Sequence, residues 1–194
     1  MRSGIVAFSF MALLLGAGLS ADAQERRGFW IGAGVSLGSA EVSAAGVDPE
    51  RNRVSVVDVA AGWTLSPRLL IGAEGNSFSV TFFDGVASQQ AGIIDLAAIV
   101  SYYPRASSGF FVKGGVGPTF ADDLEDSPTL DVTGRGVGGI IGTGYDIYIG
   151  RNFSLTTAVD VRFSRIGEVR LDERPGFRNW RHNVIEFTVG IKFN

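Results

Sequence analysis

Residues 153–163 read FSLTTAVDVRF, and their alternation decides the fold. Phe153, Leu155, Val159, Val161 and Phe163 share one parity, while Ser154, Thr156, Asp160 and Arg162 share the other. A period of two places such sets on opposite faces of an extended strand. The end of the chain repeats the pattern, with Ile185, Phe187, Val189, Ile191 and Phe193 against Glu186, Thr188, Gly190 and Lys192. Working back, Val137, Ile141, Tyr145 and Ile147 alternate with Gly136, Gly138, Gly142, Gly144 and Asp146. Phe110, Val112, Val116 and Phe120 alternate with Lys113, Gly115 and Thr119, and Ile94, Leu96, Val100 and Tyr102 with Asp95 and Ser101. Nearer the start, Val57, Val59, Ala61, Trp63 and Leu65 oppose Asp58 and Gly62; Phe29, Ile31, Ala33, Val35 and Leu37 oppose Gly32, Gly34, Ser36 and Gly38. In the segment 69–82 the apolar parity moves from Leu69, Ile71 and Ala73 to Phe78, Val80 and Phe82, past Glu74 and Asn76, which predicts a β-bulge near Gly75. Eight strands result, each of roughly the ten residues that a tilted strand needs to cross a bilayer.

The connections alternate in length. Ser66-Pro67-Arg68, residues 104–108 and residues 149–152 are tight turns, whereas longer polar loops are expected at about 39–52, 83–91, 121–131 and 167–181. Short turns at one end and long loops at the other are the pattern of outer-membrane barrels.

Composition narrows the chemistry. The chain has 194 residues, 27 of them Gly, with no Cys and one His. Thiol nucleophiles, disulfide scaffolds and zinc–cysteine sites are excluded, and His182 alone makes no histidine metal cluster. No cofactor or metal is expected. A net charge of -3 offers no basic field for nucleic acid. At the N-terminus, Arg2, the apolar run from Ile5 to Leu15 and the Ala21-Asp22-Ala23 triplet read as a signal peptide over 1–23, with Gln24 the expected mature start of a single domain, 24–194. The run is short of the ~20 residues of a spanning helix.

Two barrels fit the alternation. A soluble lipocalin-like barrel turns its bulky face inward and its polar face to water. The polar face of this chain, however, is mostly Gly, Ser and Thr with about one charge per strand, a poor coat for water and a good filling for a narrow lumen. Trp63, Tyr102, Phe110, Tyr145, Tyr148, Phe153 and Phe193 fall where strands meet short turns and predict an interfacial girdle. The expected fold class is therefore all-β: an eight-stranded antiparallel up-and-down transmembrane β-barrel.

From Gln24 to Asn194 the chain resembles the eight-stranded outer-membrane barrel proteins of Gram-negative bacteria, the group containing OmpX and the transmembrane domain of OmpA. The resemblance rests on the signal, the eight alternating segments, the turn-and-loop asymmetry and the last strand, 187–193, which is similar to the family's C-terminal assembly signal except that Asn194 follows Phe193. It implies a monomer in the cell outer membrane, in contact with lipid, lipopolysaccharide and the barrel assembly machinery, with long surface loops open to a host or surface ligand. The implied role is structural or surface-interacting, membrane-stabilising or adhesin-like. A narrow, porin-like channel for small solutes or ions is the alternative, and a lipid A-modifying enzyme comes third.

Inward parity assigns Asp58, Glu74, Asp95, Lys113, Asp146, Asp160, Arg162, Glu186 and Lys192 to a barrel-interior charge network, six acids against three bases. Buried charges need partners, because an unpaired one costs several kcal/mol. The resemblance implies that such a network closes the lumen; the acid excess would otherwise favour cations, with Arg135 near the outer mouth offsetting part of it. Asp122, Asp123, Glu125, Asp126 and Asp131 form an acidic loop whose spacing matches no calcium loop. Arg165, Arg170, Arg174, Arg178 and Arg181 flank the last loop and are candidate lipopolysaccharide contacts, interleaved with Glu168, Asp172 and Glu173. Two apparent motifs fail. Gly134, Gly136 and Gly139 fit G-x-G-x-x-G, but a strand follows where a phosphate site needs a helix. Some outer-membrane lipid A deacylases pair a His with a Ser two positions on; Val184 stands there relative to His182, so no catalytic residue is assigned.

Overall fold

The computed structural model describes residues 26–44, 47–83, 88–123, 132–149, 151–171 and 174–194. The expected signal peptide 1–23 and Gln24 lie outside these residues, as do Glu125, Asp126 and Asp131 of the acidic loop. Eight strands follow in order: β1 (Gly28–Ala44), β2 (Val47–Ser66), β3 (Leu69–Phe83), β4 (Ser88–Tyr102), β5 (Phe110–Asp123), β6 (Val132–Tyr148), β7 (Phe153–Leu171) and β8 (Arg174–Phe193). Each pairs antiparallel with the next, and β8 returns to β1 to close the barrel. This is the architecture that the alternation predicts.

The strands are longer than the sequence suggests, from 14 residues in β5 to 20 in β2 and β8. The surplus lies at one end. The connections after β2, β4 and β6 are short, as expected, but the stretches read as loops at about 39–52 and 167–181 are largely strand, as are the described residues of 83–91 and 121–131. β1 and β2 pair as far as Ala44↔Val47, and β7 and β8 as far as Leu171↔Arg174. Arg170, Arg174 and Arg178 are consequently strand residues.

The missed segments alternate too, with the faces exchanged. On the lower part of β2, nearest the short turns, Val57, Val59, Trp63 and Leu65 are exposed while Asp58 is buried. Higher on the same strand Arg51, Arg53 and Ser55 are exposed, and Val54 and Val56 are buried. On β8 the outward Ile185, Phe187, Val189 and Ile191 give way to Asn179, Arg181 and Asn183, as the inward Glu186 and Lys192 give way to Val184 and Trp180. This exchange also replaces the expected bulge at Gly75. β3 keeps unbroken register with β4 from Leu69↔Tyr102 to Phe83↔Ser88, and Phe78 and Val80 point inward like Glu74 and Asn76 beneath them. Along β3 the parity does not shift; the polarity of its outward residues does.

The lumen is thereby filled in three tiers. Phe78, Val80, Ile93, Ile166, Trp180 and their neighbours form an upper apolar cluster. Trp30, Leu70, Ile99, Tyr103, Phe111 and Ile140 form a lower one, and polar side chains occupy the level between. Outside, Trp63, Tyr102, Phe110, Phe153 and Phe193 are exposed near the short turns, with Tyr145 half-buried beside Phe110. Tyr148 departs from the expected girdle: it has the inward parity of Asp146 and its ring lies 5.5 Å from the Arg26 guanidinium.

Candidate functional site: lumen network and outer rim

All nine charges assigned to the interior have inward parity, eight of them buried and Lys113 half-buried. Six of them form the central knot. Arg162 on β7 donates through Nη2 to Asp58 Oδ1 at 2.8 Å and Glu74 Oε1 at 2.6 Å, and through Nε to Glu186 Oε1 at 2.7 Å. Lys113 Nζ on β5 reaches Glu74 Oε2 at 2.9 Å and Asp160 Oδ2 at 3.1 Å. Two cations thus bind four carboxylates drawn from β2, β3, β7 and β8 across the lumen. Ser36 donates to Asp58 Oδ2 at 2.6 Å, satisfying an oxygen that the guanidinium leaves free. Gly142 makes room for the knot, since a Cβ there would overlap Asp160 Oδ1. The fixed fork of Arg162 suits it to three acceptors, where a lysine supplies only a point charge.

Above the knot, Asp95 on β4 accepts from Thr119 and, at 3.3 Å, from Ser164. His182 Nε2 lies 3.5 Å from Asp95 Oδ2, and the imidazole meets the Phe78 ring edge-on at 5.6 Å under the upper cluster. His182 has no hydroxyl two positions on, and nothing in the sequence of β8 alone ties it to Asp95. Its even parity, shared with Glu186, was the available sign that it points inward.

Below the knot, Lys192 pairs with Asp146 and donates to Tyr103 Oη at 2.8 Å. Tyr103 Oη donates to Asp146 Oδ2 and Thr156 Oγ1 to Asp146 Oδ1, each at 2.7 Å. Burial and the Asp146 carboxylate hold the Tyr103 phenol well above its ordinary range, so it stays a donor in the turn end of the barrel. Arg26 closes this end. Buried although it precedes β1, it donates to the carbonyls of Pro67 at 3.3 Å, Ala106 at 3.1 Å and Ser108 at 2.7 Å, and its guanidinium lies 3.6 Å over the Tyr103 ring. Neither Arg26 nor Tyr103 stands in an alternating segment, so the strand pattern could not find them. Between the knot and this floor lies a cavity of about 90 Å³, walled by Trp30, Leu70, Ile99 and Phe111.

At the outer rim, Arg165 and Arg181 are exposed and stand opposite each other on β7 and β8; Arg165 also donates to Asn179 at 3.2 Å. Arg135 is exposed as well and points outward, so it offsets none of the lumen's acid excess; among the described residues Arg26 is a further buried cation. Arg170, Arg174 and Arg178 lie on the same two strands, and Asp122 and Asp123 end β5.

No protein-family model and no curated protein matches the chain. Solved structures do. The chain is similar to Neisserial surface protein A, with 16% identity and a TM-score of 0.55 over 85% of this chain and 96% of that one. It is similar to Ail, the attachment invasion locus protein of Yersinia pestis, with 10% identity and a TM-score of 0.53 over 87% of this chain and 99% of that one. It is also similar to the outer membrane protein OprG from Pseudomonas aeruginosa, with 15% identity and a TM-score of 0.50 over 89% and 98% of the two chains. At these identities the likeness establishes the fold, an eight-stranded outer-membrane β-barrel.

Proposed function

We propose that the chain is an integral outer-membrane protein with a structural or surface-interaction role, membrane-stabilising or adhesin-like, whose long-strand end stands outside the cell. The observation that carries this reading is the exchange of polarity along β1, β2, β3, β7 and β8. Val35, Leu37, Val59, Val116, Val137 and Ile185 belong to a continuous outward apolar belt, each more than half exposed. In water a belt of that extent is an aggregation surface, whereas in lipid it is solvated. Above it the outward residues turn polar and the inward ones apolar, which suits a barrel extension standing in water.

Against the narrow channel weigh the three filled tiers: the Arg162 and Lys113 knot and the upper apolar cluster cover the cavity from above, and Arg26 with Tyr103 underlies it. Against the lipid A-modifying enzyme weighs His182, which is buried in the lumen rather than at the lipid-facing wall. Arg165 and Arg181, opposite each other just above the apolar belt, support contact with lipopolysaccharide phosphates, whose oxygens suit guanidinium forks, and Arg170, Arg174 and Arg178 on the same hairpin are further candidates. Cleavage after residue 23, delivery of strand 187–193 to the assembly machinery and a monomeric state complete the reading.

The test uses the absence of native cysteine. Single cysteines at Ser55 and Arg68 are expected to differ on intact cells, with Ser55→Cys taking a membrane-impermeant maleimide and Arg68→Cys protected until the outer membrane is opened. Equal labelling, or labelling of the Arg68 site alone, sinks the reading. Stepwise conductance of the purified protein in planar bilayers would favour the channel.

A further inference from the structure

His182 is the single histidine of the chain and is fully buried, yet neither ring nitrogen has a hydrogen-bond partner among the described residues. Asp95 Oδ2, 3.5 Å from its Nε2, is also buried and without one, although Thr119 and Ser164 satisfy Oδ1. Asn76 faces Asp95 across the β3–β4 ladder, and both polar atoms of its amide are buried and unbonded. Three neighbouring side chains thus carry five orphaned polar atoms. Buried polar atoms are normally satisfied, so this group calls for something that binds it.

The charges state its chemistry. Asp58, Glu74, Asp146, Asp160 and Glu186 each pair with Arg162, Lys113 or Lys192, whereas Asp95 meets no Lys or Arg among the described residues. Six lumen carboxylates against Arg26, Lys113, Arg162 and Lys192 leave the interior two positive charges short. We propose that Asp95, His182 and Asn76 hold one divalent ion of the zinc type, through Oδ2, Nε2 and the amide oxygen. A separation of 3.5 Å is long for a hydrogen bond between the first two. Two donors each about 2.1 Å from one tetrahedral ion, however, stand about 3.4 Å apart. An imidazole nitrogen selects zinc-like ions over calcium and magnesium, which take oxygen ligands. Thr119 and Ser164, by holding Oδ1, fix the direction of Oδ2 as partners of a ligating carboxylate do. Among the described residues no three His, Cys, Asp or Glu side chains gather at one point, so the third donor is an amide and water completes the tetrahedron. β4 and β8 stand on opposite sides of the ring, so the ion ties opposite walls together. The upper apolar cluster covers it, with Phe78 against the imidazole, and the knot lies beneath; the ion is therefore taken up as the barrel closes, and its binding is part of folding.

The test uses the full chain without a histidine tag, folded into detergent micelles with EDTA, with equimolar zinc, or with equimolar magnesium. Because His182 is the only histidine, the imidazole nitrogen NMR signals report this site alone. Folding with zinc is expected to leave one zinc per chain after gel filtration and to move the Nε2 signal to its metal-bound position. Unfolding in urea is expected to slow at least tenfold relative to the EDTA-folded protein, and magnesium is expected to do neither. Even the partners of a metal ligand are worth about tenfold or more in affinity, so Asp95→Asn and His182→Gln should each lose at least that much zinc affinity. Glu41→Gln, at an exposed carboxylate outside the lumen, should lose none. Where a lumen variant does not fold, the wild-type imidazole signals decide alone. A protonated imidazole paired with Asp95, a neutral imidazole in the zinc-folded protein, no retained zinc, or zinc held equally by Asp95→Asn and His182→Gln each overturns the proposal.

Discussion

Arg165 on β7 and Arg181 on β8 face each other directly across the ladder, both on the outward side and one step above the pair Phe163↔Asn183. Like charges placed opposite one another on a sheet destabilise it unless an anion comes between them. At the height where the apolar belt ends, the abundant anions are lipid phosphates. Removing both guanidinium groups, as Arg165→Ala/Arg181→Ala, is expected to weaken binding of purified lipopolysaccharide to the micellar protein at least tenfold and to flatten its salt dependence. Barrel stability in the absence of lipopolysaccharide should change by less than about 0.5 kcal/mol, as for exposed positions generally. Unchanged binding in the double variant would place the contact elsewhere.

Arg26 makes three hydrogen bonds to carbonyls of two different turns, joining the β2–β3 and β4–β5 connections beneath the barrel. Charge-assisted bonds of this kind contribute more than neutral ones, so Arg26→Ala is expected to cost about 2–4 kcal/mol in urea unfolding from micelles. Arg26→Lys should recover less than half of that, because an ammonium cannot span acceptors set this far apart. Full recovery by lysine would mean that charge over the Tyr103 ring, rather than the fork, holds the floor.

The parity of the belt segments is legible from sequence because lipid and lumen differ so sharply: Phe153 to Phe163 and Ile185 to Phe193 are read off without error. The upper third was not legible, for a physical reason. Once the outer medium becomes water and the inner one apolar, alternation continues with its sense reversed, and Glu41, Arg51 and Arg53 on one face with Val54 and Val56 on the other look like a polar loop. Phe78 and Val80 break the apolar parity of Leu69 and Ile71 for the same reason, which in the sequence alone reads as a bulge near Gly75. In the lumen the membership of the network followed from parity, but its pairing did not. Arg162 meets Asp58 across a separation of 104 residues, and only barrel closure brings β7 to face β2.

That closure makes Arg162 the centre of the knot. Arg162→Met leaves Asp58, Glu74 and Glu186 without their shared cation while keeping the volume, and truncating one partner of a buried ion cluster typically costs about 3–5 kcal/mol. Combining it with Glu186→Gln, which removes one of the stranded charges, is expected to return at least 1 kcal/mol of that loss, roughly what neighbours in one network show in double-mutant cycles. Strictly additive losses in urea titrations of the two single variants and the double variant would show that the knot is not energetically coupled.

The exchange of polarity predicts opposite responses to the same side chain at two outward positions. Val159 is 44% exposed, in the apolar belt and paired with Phe187 on β8. If that belt lies in hydrocarbon, Val159→Arg should cost about 2–4 kcal/mol, the range for arginine near the bilayer midplane. Ser55 is also outward, but it stands between Arg53 and Val57 at the upper edge of the belt, across the ladder from Leu37, so Ser55→Arg should cost less than about 1 kcal/mol. Thr156→Ser, which keeps the hydroxyl bound to Asp146 inside the lumen, should likewise cost little. Folding equilibria measured in lipid vesicles decide the matter. Equal costs for arginine at Val159 and Ser55 would mean that both positions meet the same medium, and a wild-type chain that folds compactly and cooperatively in buffer without detergent would remove the membrane altogether.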